Sequence, residues 1–481
     1  MDMFIDGAWT ATASGATRDV RNPATGAVID TVPWGTADDA DRAVQAAAAA
    51  FTRWRKVPVE ERARLQHRAA EAMRAASGEI GRLLCLELGR PLKGAVAEVR
   101  RAADLLDVYA EEGVRIHGEL RQSTLPGEKV LVSREPVGVV VAITPFNYPI
   151  NLLVFKLGAA LIAGCTVVAK PADDTPLSTL ALAGVLHEAG IPAGVLNVVT
   201  GRGSEIGSAL IGHRIPRKIA FTGGTEAGKK IAALAAQTMK RVTLELGGQC
   251  PAIVRADADL DVAARAIVNH AFANSGQFCY RVNRVYAQRA IYEPLLARLA
   301  EHAGRLTVGD GFAEDVAMGP LVNEKIFANA YAQIVDAEAK GARILTGGRR
   351  LTGGAFDLGF FLPATIVADA DHGMKVMREE TFGPVLGVMP YDSDLEAIER
   401  ANDTPYGLAG FVFSVDVGIA LTMADAIEAG SVWINDIHRS RHDVPFGGVK
   451  ESGVGREKGR YGVEAYLEYK TTYLTYRGVL A

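Results

Sequence analysis

Five short apolar runs between positions 139 and 246 constrain the fold more than any other feature of this sequence. They are rich in β-branched residues, and stretches with a helical pattern separate them. Continuous apolar runs of this length suit strands that are buried on both faces, and the separations are long enough for crossover helices. The sequence therefore predicts a parallel, doubly wound sheet in an α/β fold. The runs are VVVAIT (139–144), TVVAK (166–170), VLNVV (195–199), KIAF (218–221) and VTLEL (242–246).

The flanking stretches have different patterns. Residues 37–117 are rich in Ala, Glu and Arg with apolar residues three or four apart, which predicts a layer of helices. Strand and helix patterns alternate again over 252–440, so we expect a second α/β domain that begins near Pro251, close to LELGGQCP. Segments 121–136 and 464–478 alternate apolar and polar residues as exposed strands do. Two such edges can pair with each other and be covered by another subunit.

Length and charge narrow the classes of function. The chain has 481 residues, about half of them apolar, which suggests about three domains and a large core. A net charge of -4 gives no electrostatic sign of nucleic-acid binding, so we expect a small-molecule partner and no nucleic acid. The start of the sequence lacks a signal-peptide pattern, and no apolar run approaches the ~18 residues of a membrane helix. We therefore expect a soluble cytoplasmic protein with no membrane partner.

Cysteine usage points to free thiols. Four scattered cysteines, without a CxxC or a Cys/His cluster at zinc spacing, predict neither a disulfide framework nor a metal site. Cys279 lies in HAFANSGQFCY, at the expected passage from a helix to a strand. Taken alone, Cys279 fits a small buried hydrophobe as well as a nucleophile.

A reactive thiol needs a base and donors for an oxyanion, and the sequence offers a candidate for each. Glu245 ends a strand in LELGG, where apolar surroundings can raise its pKa toward that of a useful general base. Asn147 follows a strand in TPFNYP and has a carboxamide that can donate. Both have a structural interpretation as well. Glu245 can be a buried carboxylate bound by backbone amides, and Asn147 a turn or N-cap residue.

Glycine-rich turns after two predicted strands are candidates for binding phosphate. They are GRGSEIG (201–207) and GGTEAG (223–228), and each is expected to open a helix whose free amides favour an anion. Neither matches GxGxxG, so each is also explained by the need for a tight turn. Lys170 and Asp173 in TVVAKPADDTP are residue types that bind ribose hydroxyls, although each can equally be a surface charge.

At these positions the sequence resembles the aldehyde dehydrogenase superfamily. The resemblance extends from FIDGAW and NPATG near the start to PFGGVKESGVGRE near the end, and its motifs occur in the order found in that family. A chance origin for the whole set is improbable. The central motifs are PFNYP, AKPADDTP, FTGGTEAG, LELGG, SGQFC, EETFGPV and PFGGVKESG.

The resemblance implies a role for each candidate. Cys279 would be the nucleophile, Glu245 the general base, and Asn147 an oxyanion donor together with the Cys279 amide. The implied cofactor contacts are Lys170 and Asp173 at the adenosine ribose, Gly223, Gly224 and Thr225 near the pyrophosphate, Glu380 at the nicotinamide ribose and Phe382 beside the nicotinamide.

The resemblance also implies an architecture. A Rossmann-like NAD(P)-binding domain would comprise 1–120 and 137–248, a second α/β catalytic domain 249–452, and a small β bridging and oligomerisation arm 121–136 and 453–481. A homodimer or homotetramer is implied.

The implied reaction oxidises an aldehyde to a carboxylic acid. Cys279 would form a thiohemiacetal, hydride transfer would leave a thioester, and water activated by Glu245 would release the acid. The presence of this Glu favours hydrolysis over transfer to coenzyme A. Two alternatives are a non-redox thiol esterase and a catalytically silent structural or binding homologue. The three intact residues Cys279, Glu245 and Asn147 count against the silent homologue.

Cofactor choice and some motif positions depart from the family pattern. Asp173 stands where Glu is usual in NAD-using relatives. A carboxylate there would repel a 2′-phosphate, so NAD+ is favoured and NADP+ stays possible. Gly224 and Gln249 replace a common Ser and a common Lys, and neither change touches the implied chemistry.

Substrate identity is the least determined feature. The C-terminal stretch is similar to that of succinate-semialdehyde dehydrogenases, yet Phe155 and Ala273 occupy the positions of the arginines that bind the distal carboxylate there. Arg281, Arg439 and Arg441 are alternative candidates for binding an acidic group, and they fit solvated or interface charges equally well. Short anionic aldehydes and hydroxyaldehydes of the lactaldehyde type both stay open.

Overall fold

The computed structural model describes residues 1–438 and 440–476. Its strands are β1 (Met3–Ile5), β2 (Ala8–Thr10), β3 (Thr17–Arg21), β4 (Val28–Pro33), β5 (Glu119–Gln122), β6 (Glu128–Pro136), β7 (Val139–Ile143), β8 (Thr166–Lys170), β9 (Leu196–Val198), β10 (Lys218–Thr222), β11 (Arg241–Glu245), β12 (Cys250–Val254), β13 (Val282–Gln288), β14 (Arg343–Thr346), β15 (Thr365–Ala368), β16 (Val385–Tyr391), β17 (Tyr406–Gly407), β18 (Ala409–Phe413), β19 (Ser431–Ile434), β20 (Val449–Lys450), β21 (Gly453–Val454) and β22 (Leu467–Thr475).

The α-helices lie between these strands. They are α1 (Ala37–Trp54), α2 (Val59–Ala75), α3 (Ser77–Leu88), α4 (Leu92–Gly113), α5 (Pro149–Ala163), α6 (Leu177–Glu188), α7 (Ser208–Gly212), α8 (Thr225–Ala236), α9 (Leu260–Phe272), α10 (Tyr292–Gly304), α11 (Glu324–Ala339), α12 (Lys375–Arg378), α13 (Asp394–Asn402), α14 (Val417–Ala426) and α15 (Gly459–Glu464).

The first sheet has the strand order β2-β1-β9-β8-β7-β10-β11-β21. Its five central strands run parallel, and the antiparallel strands β1, β2 and β21 complete the two edges. All residues of β8 and β10 are buried, as expected for strands covered by helices on both faces. This sheet confirms the predicted parallel, doubly wound arrangement.

The second sheet has the order β14-β15-β16-β13-β12-β18-β19 and is parallel except at β14. The chain passes from one sheet to the other between Glu245, the last residue of β11, and Cys250, the first of β12. The predicted domain boundary near LELGGQCP stays a prediction.

The two exposed strands pair as predicted. Strand β22 runs antiparallel to β6 along nine residue pairs, from Leu467 opposite Pro136 to Thr475 opposite Glu128, and β5 extends this sheet. Strand β22 of this sheet begins at Leu467, and the assignment of 453–481 to the arm stays a prediction. Residues 453–466 pack on the first sheet, because β21 pairs with β11 and Tyr466 is buried in the core.

No helix in the described part of the chain is long and apolar enough to cross a membrane.

Candidate active site

The candidate residues converge where the two sheets face each other. In the first sheet, Lys170 ends β8 and Glu245 ends β11, while Asn147 follows β7. These are carboxyl ends of parallel strands, the edge at which α/β folds bind ligands. From the second sheet come Cys279, just before β13, and Glu380, shortly before β16.

The segment before Cys279 has an unusual backbone. Asn274, Ser275 and Gly276 have φ values of 51°, 56° and 74°, in the left-handed region that residues other than glycine rarely adopt. A Cβ on Gly276 would lie 2.3 Å from the carbonyl oxygen of Gly383, so only glycine fits there. Strained conformations of this kind persist where the surroundings fix them, and they cluster at functional sites.

Hydrogen bonds tie Asn147 to this segment. The Asn147 Nδ2 donates to the Gln277 carbonyl at 2.9 Å, and the Asn274 Nδ2 donates to the Asn147 carbonyl at 3.1 Å. The Gln277 side chain is itself held, since its Nε2 donates to Asn274 and its Oε1 accepts from the Val322 amide. The position of the Asn147 carboxamide relative to Cys279 is therefore fixed by Gln277 and Asn274, which sequence reasoning missed.

Cys279 is half-buried, whereas Cys85, Cys165 and Cys250 are buried. Burial, together with the nearby Glu380, Cys250 and Glu245, raises the pKa of the Cys279 thiol well above its usual value. The thiol is consequently protonated at neutral pH, so its reaction with a carbonyl requires a proton acceptor.

Glu245 is buried. A Cβ on Gly447 would lie 2.6 Å from its Oε1, so glycine makes room for the carboxylate. Neither carboxylate oxygen has a hydrogen-bond partner among the described residues. Burial and the nearby Glu457 raise the pKa of Glu245 well above its usual range, against the opposing effects of Lys156 and two other cations. Glu245 is thus not bound by backbone amides, which was its structural interpretation.

A small cavity of about 60 Å³ opens at Cys279. Five of its thirteen lining residues are aromatic, and its polar lining residues include Asn147, Ser440, Arg101 and Lys458. The aromatic side chains in the wall are Tyr148, Phe155, Phe278, Tyr280 and Phe446.

A larger cavity of about 380 Å³ meets the same two residues, Cys279 and Asn147, from the other side. Its lining includes Gly223, Gly224, Glu380 and Phe382. The structure thus brings four of the predicted cofactor-binding residues to one surface next to Cys279.

Glu380 is held at the edge of this larger cavity. Its Oε1 accepts from the Gly248 amide at 3.1 Å, and burial raises its pKa to about 7. A Cβ on Gly247 would lie 2.6 Å from the Glu380 Oε2, so the glycine admits the carboxylate. Phe382 has a φ of 51° and packs edge-on against Phe146, with ring centroids 5.6 Å apart.

The other predicted cofactor residues lie on the same sheet edge. Thr225 begins α8, with Gly224 as its N-cap, so free amides face the larger cavity. The Lys170 Nζ donates to the Asp173 carboxylate, and Arg18 lies 3.4 Å from the same carboxylate. A Cβ on Gly203 would lie 3.8 Å from the Lys170 Nζ, so the glycine turn at 201–207 lies near this lysine.

Two of the three predicted substrate-binding arginines, Arg281 and Arg441, do not line the small cavity. Arg281 is fully buried, and its guanidinium donates to the carbonyls of Ala271 and Val385. Arg281 therefore joins α9 to β16, which corrects its predicted role in binding the substrate. Arg441 is exposed and forms an ion pair with Asp443, so it also lies outside the cavity. Arg439 lies outside the described residues.

Phe155 does line the small cavity, and the two cations there are Arg101 and Lys458. Sequence reasoning missed both, since they are 357 positions apart and carry no motif. The only sign of these two cations in the sequence was that Phe155 and Ala273 stand where the resemblance predicts arginines. An acidic substrate therefore had no assigned cation to bind it.

The fold and this site together define an α/β protein in which one half-buried cysteine lines two cavities. The family model described as "Aldehyde dehydrogenase family" matches residues 9–472, so the chain belongs to the aldehyde dehydrogenase family. It is an NAD(P)+-dependent aldehyde dehydrogenase.

Curated relatives match over nearly the whole chain. A 3-sulfolactaldehyde dehydrogenase of Pseudomonas putida is 42% identical, over 97% of this chain and 95% of its own. A glutarate-semialdehyde dehydrogenase of Pseudomonas putida is also 42% identical, over 97% and 96%. The crystal structure of betaine aldehyde dehydrogenase from Staphylococcus aureus in complex with NAD+ has a TM-score of 0.96, with 36% identity over 100% of this chain and 95% of that one.

Proposed function

We propose that Cys279, Asn147 and Glu245 carry out the oxidation of a short aldehyde bearing an acidic group, with NAD+ as the preferred cofactor. The observation that carries the proposal is that Cys279 and Asn147 line both cavities at once. A substrate in the small cavity and a cofactor in the larger one then meet at the same thiol.

In the first half of the reaction the Cys279 sulfur adds to the aldehyde carbon, and the thiol proton passes to solvent water in the cavity. The oxyanion of the resulting thiohemiacetal accepts hydrogen bonds from the second Nδ2 hydrogen of Asn147 and from the Cys279 amide. Such donors act strongly because Asn147 is held in place before the charge develops. NAD+ bound in the larger cavity supplies the hydride acceptor.

The second half releases the acid. Glu245 takes a proton from water, the hydroxyl adds to the thioester carbonyl, and the thiol leaves as the acid forms. The raised pKa of Glu245 suits a proton acceptor. Its carboxylate must turn past Gly447 to reach the small cavity, which its lack of hydrogen bonds to the described residues allows.

The residues around the larger cavity fit a dinucleotide. Gly223, Gly224 and Thr225 would hold the pyrophosphate at the start of α8, and Glu380 would accept from the nicotinamide ribose while Phe382 lies beside the ring. Lys170 and Asp173 would bind the adenosine ribose. The Asp173 carboxylate favours NAD+ because it would repel the 2′-phosphate of NADP+.

The substrate class rests on the relatives and on the small cavity. Two relatives are named for aldehydes that carry a sulfonate or a carboxylate. A cavity of about 60 Å³ has space for roughly four to six water-sized groups, so the substrate is short.

The test is a panel of short acidic, hydroxylated and neutral aldehydes, each assayed with NAD+ and with NADP+. We expect absorbance at the NADH wavelength to grow fastest with an acidic aldehyde and NAD+, and the acid to accumulate in equal amount. Hydrolysis of an ester with no cofactor requirement, and no NADH from any aldehyde, would favour the thiol esterase instead.

We further propose that the protein is a homodimer or homotetramer, found in the cytoplasm. The sheet of β5, β6 and β22 leaves large apolar side chains exposed, which on a soluble protein marks an interaction surface. They include Leu120, Leu131, Tyr469, Tyr473 and Leu474. Sedimentation equilibrium tests the oligomeric state, and a monomer at micromolar concentration would overturn the proposed homodimer or homotetramer.

A further inference from the structure

Two cations, Arg101 and Lys458, face the small cavity that opens at Cys279. Arg101 lies on α4, and Lys458 immediately precedes α15. Resting on the function proposed above, we propose that Arg101 and Lys458, with the Ser440 hydroxyl, form the subsite that binds the acidic group of the aldehyde. That group is a carboxylate, sulfonate or phosphate, whose oxygens accept hydrogen bonds from both cations.

Lys458 is held so that its ammonium faces the cavity. It is only 3% exposed, and its backbone φ of 70° is unusual for a residue other than glycine. The Tyr109 hydroxyl accepts from the Lys458 amide at 3.1 Å and donates to the Phe155 carbonyl at 2.8 Å. These bonds tie the lysine backbone to the cavity wall.

The Lys458 ammonium lacks a carboxylate partner within the described chain. Its hydrogen bonds there both go to Ser440, to the hydroxyl and to the carbonyl. The ammonium also lies 4.6 Å from the centre of the Phe155 ring and 5.1 Å from that of Phe446. Two ring faces and a hydroxyl stabilise this buried ammonium less than an anion would. An anionic ligand can therefore make the strongest interaction with it.

The one acid in the cavity wall, Glu98, is already neutralised. It forms a buried ion pair with Arg90 and accepts from the amides of Ile150 and Asn151 at the start of α5. Arg90 and the two amides therefore balance much of the negative charge that Glu98 brings to the cavity wall.

The pKa values of Lys458 and the neighbouring His442 indicate an excess of positive charge beside the cavity. Burial and the nearby Arg101 lower the pKa of Lys458 to about 7, and burial with Lys458 and Arg101 lowers that of His442 to about 4. A bound anion would favour the protonated lysine, so acid binding should weaken as pH rises through the lysine pKa. The other groups that shift the pKa of Lys458 or of His442 are Glu457, Cys279, Glu245, Asp104 and Asp443.

The first test compares an acidic aldehyde with a neutral one of equal length, for example succinate semialdehyde and butanal, in Lys458→Met and Arg101→Met. We expect kcat/KM for the acidic aldehyde to fall roughly 10- to 100-fold in each variant, the effect of losing one charged hydrogen bond, with little change for the neutral one. Arg460→Met and Arg100→Met are matched controls. Arg460 is exposed beside Glu464, and Arg100 donates to Ser77.

Lys458→Arg separates charge from packing. Because a guanidinium stays protonated, this variant should keep the preference for acidic aldehydes and lose the extra rise in their KM between pH 6.5 and 8.5. An equal loss for acidic and neutral aldehydes in Lys458→Met, in a variant that melts like the wild type, would overturn the subsite.

A binding measurement without cofactor separates this subsite from the proposed redox function. Butyrate or propane-1-sulfonate should slow alkylation of Cys279 by iodoacetamide in the wild type, and butanamide should not. Lys458→Met should lose that protection. If the acids protect but no aldehyde yields NADH, the proposed function fails and the subsite stands; if NADH forms but the acids never protect, the subsite fails.

Discussion

Replacing Arg281 by methionine is expected to destabilise the fold without changing which aldehydes the enzyme prefers. The side chain is fully buried and donates to the carbonyls of Ala271 and Val385. Methionine fills similar space but leaves both carbonyls without these donors. The change therefore acts on the connection between α9 and β16, away from the substrate.

The magnitude follows from two opposing effects. Two buried carbonyls that lose a partner cost about 1–3 kcal/mol each, which sets an upper limit of about 6 kcal/mol. Burial has already lowered the pKa of Arg281 to about 10, which means that burying its charge destabilises the folded state. Removing that charge therefore offsets roughly half of the upper limit. We expect a net destabilisation of about 2–3 kcal/mol.

The assay combines urea unfolding with kinetics on the acidic and neutral aldehyde pair. The midpoint of unfolding should fall at unchanged slope, and kcat/KM for the two aldehydes should change by the same factor. A selective loss of the acidic aldehyde, with an unchanged midpoint, would refute this reasoning and restore Arg281 to the substrate site.

Three further predictions concern the reaction and the cofactor. Asn147→Ala should lower kcat roughly 10²- to 10³-fold by removing an oxyanion donor, and an unchanged steady-state rate would exclude that role. Asp173→Ser should raise the ratio of kcat/KM for NADP+ over NAD+, whereas a wild-type ratio above one would contradict the preference for NAD+. Because the pKa of Glu380 is about 7, lowering pH from 8 to 6 protonates this ribose acceptor and should raise the KM for NAD+. Glu380→Gln should show no such rise, and a wild-type KM that is flat with pH would contradict the assignment.

Local pattern was enough to predict the central strands. The run Thr166–Lys170 is a strand with the predicted bounds, because a continuous β-branched stretch between helices suits little else. The edge strands Met3–Ile5 and Gly453–Val454 were not predicted. Each is at most three residues long, and each joins the first sheet by pairing with a strand far away in the sequence.

Site residues that lie in sequence motifs could be predicted. Residues that come together only by packing of distant segments could not. The motif around Cys279 predicted the residue that lines both cavities, yet closeness in sequence misassigned Arg281, whose side chain turns into the core where β13 begins. Arg101 and Lys458 line the same cavity because α15, which follows Lys458, packs against α4, which carries Arg101. No spacing rule in a single sequence reveals such a pair.

Rapid-mixing measurement of NADH in Glu245→Gln tests most directly whether a thioester on Cys279 is hydrolysed with Glu245 as the base. We expect a burst of about one NADH per active site, followed by turnover slowed roughly 10²- to 10⁴-fold, because hydride transfer precedes the step that needs the base. Cys279→Ala should give no burst. A Glu245→Gln variant that turns over at the wild-type rate, or a burst in Cys279→Ala, would contradict the account.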